Sequence, residues 1–223
     1  MKVAILRFPG TNCEFDTQYA FEKLGCTTEL IWHKEETLPD DTDLVVVPGG
    51  FSYGDYLRSG SIARFSPVMK AVVEYADKGG RVLGICNGFQ ILTEVGLLPG
   101  ALKRNNNLHF ISKYQNLKVI NSDNAFLNKC SNNEVLNIPI AHADGNYYID
   151  DKGLNSLEEN GQILLRYCNA QGEREIVNGS VTSIAGICNE KKNVFGLMPH
   201  PERAMEAILG SKQGIKMLQG FEQ

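Results

Sequence analysis

The chain has 223 residues, 43% of them apolar, which suits one sizeable α/β core or at most two small ones. Its 22 basic and 26 acidic side chains leave a net charge of −4 with no basic stripe, so nucleic-acid binding lacks electrostatic support. The apolar run at the N-terminus is too short for a secretory segment, and no later run reaches membrane-spanning length. Six scattered cysteines (13, 26, 86, 130, 168 and 188) form no CxxC and read as reduced thiols of a cytoplasmic protein. Only four histidines exist and none pairs with a cysteine at ligand spacing, so no zinc or other metal is expected.

Lys2–Arg7 reads as a short apolar strand, followed by the turn Pro9-Gly10-Thr11-Asn12. Residues 13–24 carry apolar side chains at helical spacing, and Gly25 stops that helix. Thr28–Trp32 predicts a second strand. Leu44–Val47, apolar on both faces, predicts a third in the middle of a parallel sheet. Pro67–Lys78 is a helix with proline at its start and Gly-Gly beyond its end, Arg81–Ile85 a fourth strand, and Phe89–Val95 a further helix. This alternation predicts a doubly wound, mainly parallel α/β sheet with helices on both faces. Sites in such sheets lie at the carboxyl ends of the strands, where loops 8–13, 48–60 and 86–90 fall. From Lys103 to Val181, Asn-rich turns separate alternating stretches at 117–120, 163–167 and 180–187, expected as antiparallel additions to the same sheet. The whole of 1–223 is expected to form one domain.

Gly84-Ile85-Cys86-Asn87-Gly88 lies between the fourth strand and the next helix, with the setting of a nucleophile elbow. Its glycines are expected to permit the turn, and the helix N-terminus to stabilise a thiolate. On those residues alone, a small buried cysteine at a tight turn is an equal alternative. Gly186-Ile187-Cys188-Asn189 repeats the first four residues, but a hairpin follows it, so Cys188 is expected to be structural. A cysteine nucleophile needs a base and the base needs an orienter. His33 is expected on a solvated surface, and His109 in a structural hydrogen-bonding role. His142 sits in a polar turn. His200, flanked by Pro199 and Pro201, is expected to be extended, which turns Glu202 to the same side as its imidazole. Gly49-Gly50 after the third strand, with the N–H of Asn87, could supply an oxyanion hole.

Together, Pro48-Gly49-Gly50, Gly84–Gln90 and Pro199-His200-Pro201-Glu202 resemble the class I glutamine amidotransferases over nearly the whole chain. The loops Phe8–Glu14 and Pro48–Asp55 and the segment Leu197–Arg203 narrow the resemblance to glutaminase subunits that feed an amidine-forming ligase of purine biosynthesis. It implies a flavodoxin-like fold, with Cys86 as nucleophile, His200 as base and acid, and Glu202 as orienter. It further implies Gly50, Phe51 and Asn87 at the oxyanion hole and Gln90 against the substrate, L-glutamine. His142-Ala143-Asp144-Gly145 departs from the usual His-Gly-Glu-Gly, and 110–114 lacks the expected Cys-Arg pair. No phosphate-cradling GxxxxGK[ST] occurs, so this chain needs no cofactor of its own. ATP and Mg²⁺ are expected on a separate synthetase subunit, with a small third subunit bridging. Two other readings remain: a different cysteine hydrolase of this fold, such as a γ-glutamyl hydrolase, and an idle binding subunit. Activity on a γ-glutamyl peptide without partners favours the first, and the intact Cys86, His200 and Glu202 set argues against the second. An unchanged hydrolysis rate in Cys86→Ala with partners present would show that Cys86 is not the nucleophile.

Overall fold

The computed structural model describes residues 1–222. Its first half follows the apolar pattern as β1 (Lys2–Arg7), α1 (Glu14–Lys23), β2 (Thr27–Trp32), β3 (Leu44–Val47), α2 (Pro67–Asp77), β4 (Arg81–Ile85) and α3 (Asn87–Glu94). The middle adds β5 (Ala101–Lys103), β6 (Ile111–Val119), β7 (Val135–His142), β8 (Asn146–Tyr148), α4 (Asp151–Glu159) and β9 (Ile163–Cys168). β10 (Ile184–Cys188), β11 (Val194–Leu197) and α5 (Gly214–Leu218) complete the described strands and α-helices, and short 3₁₀ turns lie between several of them.

Nine strands form one sheet in the order β2-β1-β3-β4-β11-β10-β9-β6-β7. The first five are parallel and the last four antiparallel, so the mixed sheet follows the expectation. The chain leaves β1 towards β2 and returns on the other side for β3. The crevice at this reversal opens at the carboxyl ends of β1 and β3. All four residues of β3 are fully enclosed, as a parallel strand covered on both faces requires.

Three details differ from the sequence pattern. β5 and β8 pair with each other in a separate two-stranded sheet, not with the main one. α4 was not foreseen, and only Leu157 is buried in a largely polar segment. Its signal is a cap, since Asp150 accepts a hydrogen bond from the Gly153 N–H at 2.8 Å. The strand foreseen from Ser180 begins only at Ile184, because Val181–Ser183 turn tightly with Thr182 and Ser183 at positive φ.

Two contacts bring the C-terminal segment to the reactive edge. β11 runs beside β4 with Leu197 opposite Ile85, and the Cys86 N–H donates to the Leu197 carbonyl at 2.8 Å. Beyond β11 the His200 N–H donates to Pro139 of β7, also at 2.8 Å, so the antiparallel end of the sheet curls back over this edge. Among the described residues no helix is long and apolar enough to cross a membrane.

Candidate active site

Cys86 sits between β4 and α3 with φ 51° and ψ −106°, a conformation that an L side chain keeps only where its surroundings impose it. Close packing imposes it here. A Cβ on Gly88 would run into the carbonyl oxygen of Val47, and one on Gly84 would lie 2.8 Å from the carbonyl carbon of Gly88. Neither glycine has a positive φ. The glycines of the elbow therefore give room for α3 to abut β3 and β4, and the torsional strain falls on the cysteine. A Cβ at either glycine would obstruct the turn, as the sequence reading expects.

His200 is buried, and its Nδ1 bonds Glu202 Oε1 at 2.6 Å. With Nδ1–H donated to that carboxylate, Nε2 is buried and without a hydrogen-bond partner. The pair is made by a turn, not by the extended segment expected. Pro201–Arg203 form a short helical turn capped by His200, which swings Glu202 round to the ring. Burial disfavours the imidazolium, but the Glu202 carboxylate and negative charge at Cys86 outweigh it and hold His200 well above the ordinary histidine range.

Gly49 lies at the meeting point of the reactive groups. A Cβ there would be 2.8 Å from His200 Cε1, 3.0 Å from Cys13 Sγ and 3.5 Å from Cys86 Cβ. These side chains line a cavity of about 70 Å³ that is completed by Asn12, Gly50, Phe51, Phe110, Ala141 and Arg203. A larger groove of about 880 Å³ runs along α2, but neither cysteine nor histidine lines it.

The remaining site residues of the sequence reading divide. Gly50, at φ 139°, lines the cavity. Phe51 also lines it, with its ring 6.5 Å from that of Phe110, but its N–H donates to the Gly10 carbonyl at 2.9 Å. Asn87 opens α3, where a backbone N–H has no intrahelical acceptor. Its side chain accepts from the Ser52 N–H at 3.1 Å and donates to Gln90 Oε1 at 2.8 Å. Gln90 lies outside the cavity wall and donates to the Asp144 carbonyl at 2.7 Å, tying the 142–146 turn to α3.

His142 is buried against Asn105 Oδ1, and burial, then the positive charge of His200, lower it to about 4. His33 is also buried, in contact with Tyr53 and Ser66, and so is not the solvated residue expected. Cys188 has no exposed surface, and burial pushes its thiol up to about 11, in keeping with a structural role. Sequence reasoning missed Cys13 and Arg203 as residues of this site. Arg203 donates to Cys13 Sγ at 3.0 Å and to Asp16 Oδ2 at 2.9 Å. The available signal was position, since Cys13 ends the loop after β1, at the same carboxyl edge as Cys86.

A thiol beside a carboxylate-held imidazole is equipped for acyl transfer from an amide. On this sheet, that combination defines a class I glutamine amidotransferase. The family model for the CobB/CobQ-like glutamine amidotransferase domain matches residues 1–219, and the chain belongs to that family. It is 70% identical to the phosphoribosylformylglycinamidine synthase subunit PurQ of Sulfurimonas denitrificans, over 99% of both chains. Identity to the subunit of the same name from Wolinella succinogenes is 66%, again over 99% of each. Among solved structures, PurLQS from Thermotoga maritima contains a chain 41% identical, with a TM-score of 0.89 over 99% of this chain and 97% of that one. Within the family, the chain is a glutaminase subunit of phosphoribosylformylglycinamidine synthase and serves purine biosynthesis.

Proposed function

We propose that Cys86 attacks the side-chain amide carbon of L-glutamine and that the acyl group passes through a Cys86 thioester. His200 gives its proton to the departing nitrogen, which leaves as ammonia. It then takes a proton from the water that hydrolyses the thioester to glutamate. Glu202 fixes the ring so that Nε2 faces the reacting atoms. The N–H groups of Gly50 and Asn87 bind the oxyanion, and that of Phe51 joins them only when released from Gly10. Gln90 orders the turn that closes over the substrate. The observation that carries this reading is the buried 2.6 Å His200–Glu202 pair converging with the strained Cys86 on Gly49.

Acting as a single domain in the cytoplasm, the chain passes its ammonia to a separate synthetase subunit that uses ATP and Mg²⁺. A small third subunit bridges the two. The engaged Phe51 N–H supports low turnover without partners. Mass spectrometry after treatment with an electrophilic glutamine analogue tests the assignment. The expected adduct is on Cys86, and an adduct on Cys13 or Cys188 with Cys86 untouched overturns it.

A further inference from the structure

Cys13 takes no step in the hydrolysis of an amide, yet its side chain reaches the base. It caps α1 at the end of the loop after β1, and its N–H donates to the Gly49 carbonyl at 3.3 Å. Its sulfur, a ring nitrogen of His200 and a carboxylate oxygen of Glu202 lie within 4.8 Å of one another. The sulfur and His200 Cε1 press on the same point above Gly49. Three bonds fix the sulfur in place. Its S–H donates to Asn12 Oδ1 at 3.2 Å, Arg203 Nη2 donates to it at 3.0 Å, and Arg203 Nε is anchored on Asp16 Oδ2 at 2.9 Å. Burial raises the thiol although His200 opposes it, so Cys13 stays neutral with sulfur lone pairs free to accept. Glu202 grips the imidazole at Nδ1 only, and a ring held at one atom can still swing about that bond.

We propose that Cys13 is a positioning residue of the glutaminase reaction: its sulfur, pinned by Arg203, is the second brace of His200 and keeps the ring aimed at Cys86. The sulfur acts on charge as well as on place. Burial disfavours the imidazolium, whereas Glu202, then Cys86, then Cys13 favour it. The other ionisable groups about the ring are Arg203, engaged by Cys13 and Asp16, and His142, which burial and then His200 lower to about 4 and so leave uncharged. Loss of the sulfur therefore lowers the pH at which His200 gives up its proton and loosens the ring that must deliver it. The inference rests on the function proposed above.

Glutamate formation by the full chain with its synthetase partner, followed against pH, tests this. Cys13→Ala should lose about 10-fold in kcat, the worth of one hydrogen bond to a charged group, with the alkaline limb moved to lower pH. Cys13→Ser keeps an acceptor for Arg203 on a shorter bond and should fall between Cys13→Ala and the unaltered chain in both readouts. An unaltered rate in Cys13→Ala overturns the proposal, and so does a slower rate with the limb unmoved, which marks Cys13 as packing alone. NMR titration of His200 Cε1–H in the full chain reads the ring without the reaction. A lower midpoint in Cys13→Ala supports the brace and an equal midpoint refutes it. Should Cys13→Ala not fold, the midpoint of Cys13→Ser decides in the same sense. If the midpoint falls while glutamine hydrolysis survives Cys86→Ala, the catalytic assignment fails and the support of His200 by Cys13 stands.

Discussion

Gly49→Ala puts a methyl group where the reactive side chains meet. Ordinary contact to a Cβ begins at about 3.4 Å, whereas this one would find His200 Cε1 at 2.8 Å and Cys13 Sγ at 3.0 Å. The imidazole must retreat by about 0.6 Å, but Glu202 grips its far side at 2.6 Å. Gly49 is not at positive φ, so alanine adds no backbone strain, and the cost is overpacking of about 1–3 kcal/mol. For a chain of this size that lowers Tm by about 2–4 °C per kcal/mol. The reaction should suffer more than the fold, because misplacement of about 1 Å costs roughly 100-fold, so a loss of about 10- to 100-fold is expected. The assay is the second-order rate of Cys86 modification by an electrophilic glutamine analogue, with a thermal melt beside it. Gly79→Ala is the control. It meets nothing within 4 Å but has φ 92°, so it should lose about 1 kcal/mol of stability and none of the labelling rate. Labelling of Gly49→Ala at the unaltered rate would refute the convergence on this residue.

Glu202→Gln removes the charge that offsets the burial of His200, so its imidazolium should lose its proton at lower pH. A fall of about 10²- to 10³-fold in glutamine hydrolysis is expected, with the alkaline limb of the pH–rate profile moved to lower pH. An unmoved limb would show that Glu202 does not set the ring's charge. Asp55 is raised to about 6 by burial, with a further push from Asp144 and opposition from the Ser59 hydroxyl. The folded chain thus keeps a proton that an unfolded carboxyl near 3.8 has already released, so stability falls as pH rises from about 4 to about 6. Asp55→Asn removes that slope. The full shift is worth ~3 kcal/mol, but the side chain is only half-buried, so about 1 kcal/mol at neutral pH is expected. Urea unfolding at pH 4.5 and 7 checks this, and an advantage that does not grow with pH refutes it.

Much of the fold was legible because the parallel half is written in local signals. Leu44–Val47 is apolar on both faces, Pro67 starts a helix, and glycine ends one at Gly25 and Gly79. The antiparallel half was legible only in outline. Nothing local told β5 and β8 to leave the main sheet, and α4 buries a single leucine behind a polar face. Cys86 was legible by its glycine frame and His200 by its prolines. The glycine reasoning carried over, whereas the extended His200 segment did not, since Pro201 begins a turn.

The amino-acid order by itself determined which residues carry reactive chemistry, which strands are central, and which of two matching cysteines has a helix behind it. Those properties depend on neighbours a few residues away, where side-chain type and backbone preference act directly. Only the tertiary structure decided that residues 13, 49, 86 and 200 meet at one point, that the Phe51 N–H is engaged by Gly10, and that Gln90 holds a turn. These facts depend on strand order and register. A parallel sheet brings loops far apart in sequence to one edge, and the distances among them follow from how whole elements pack.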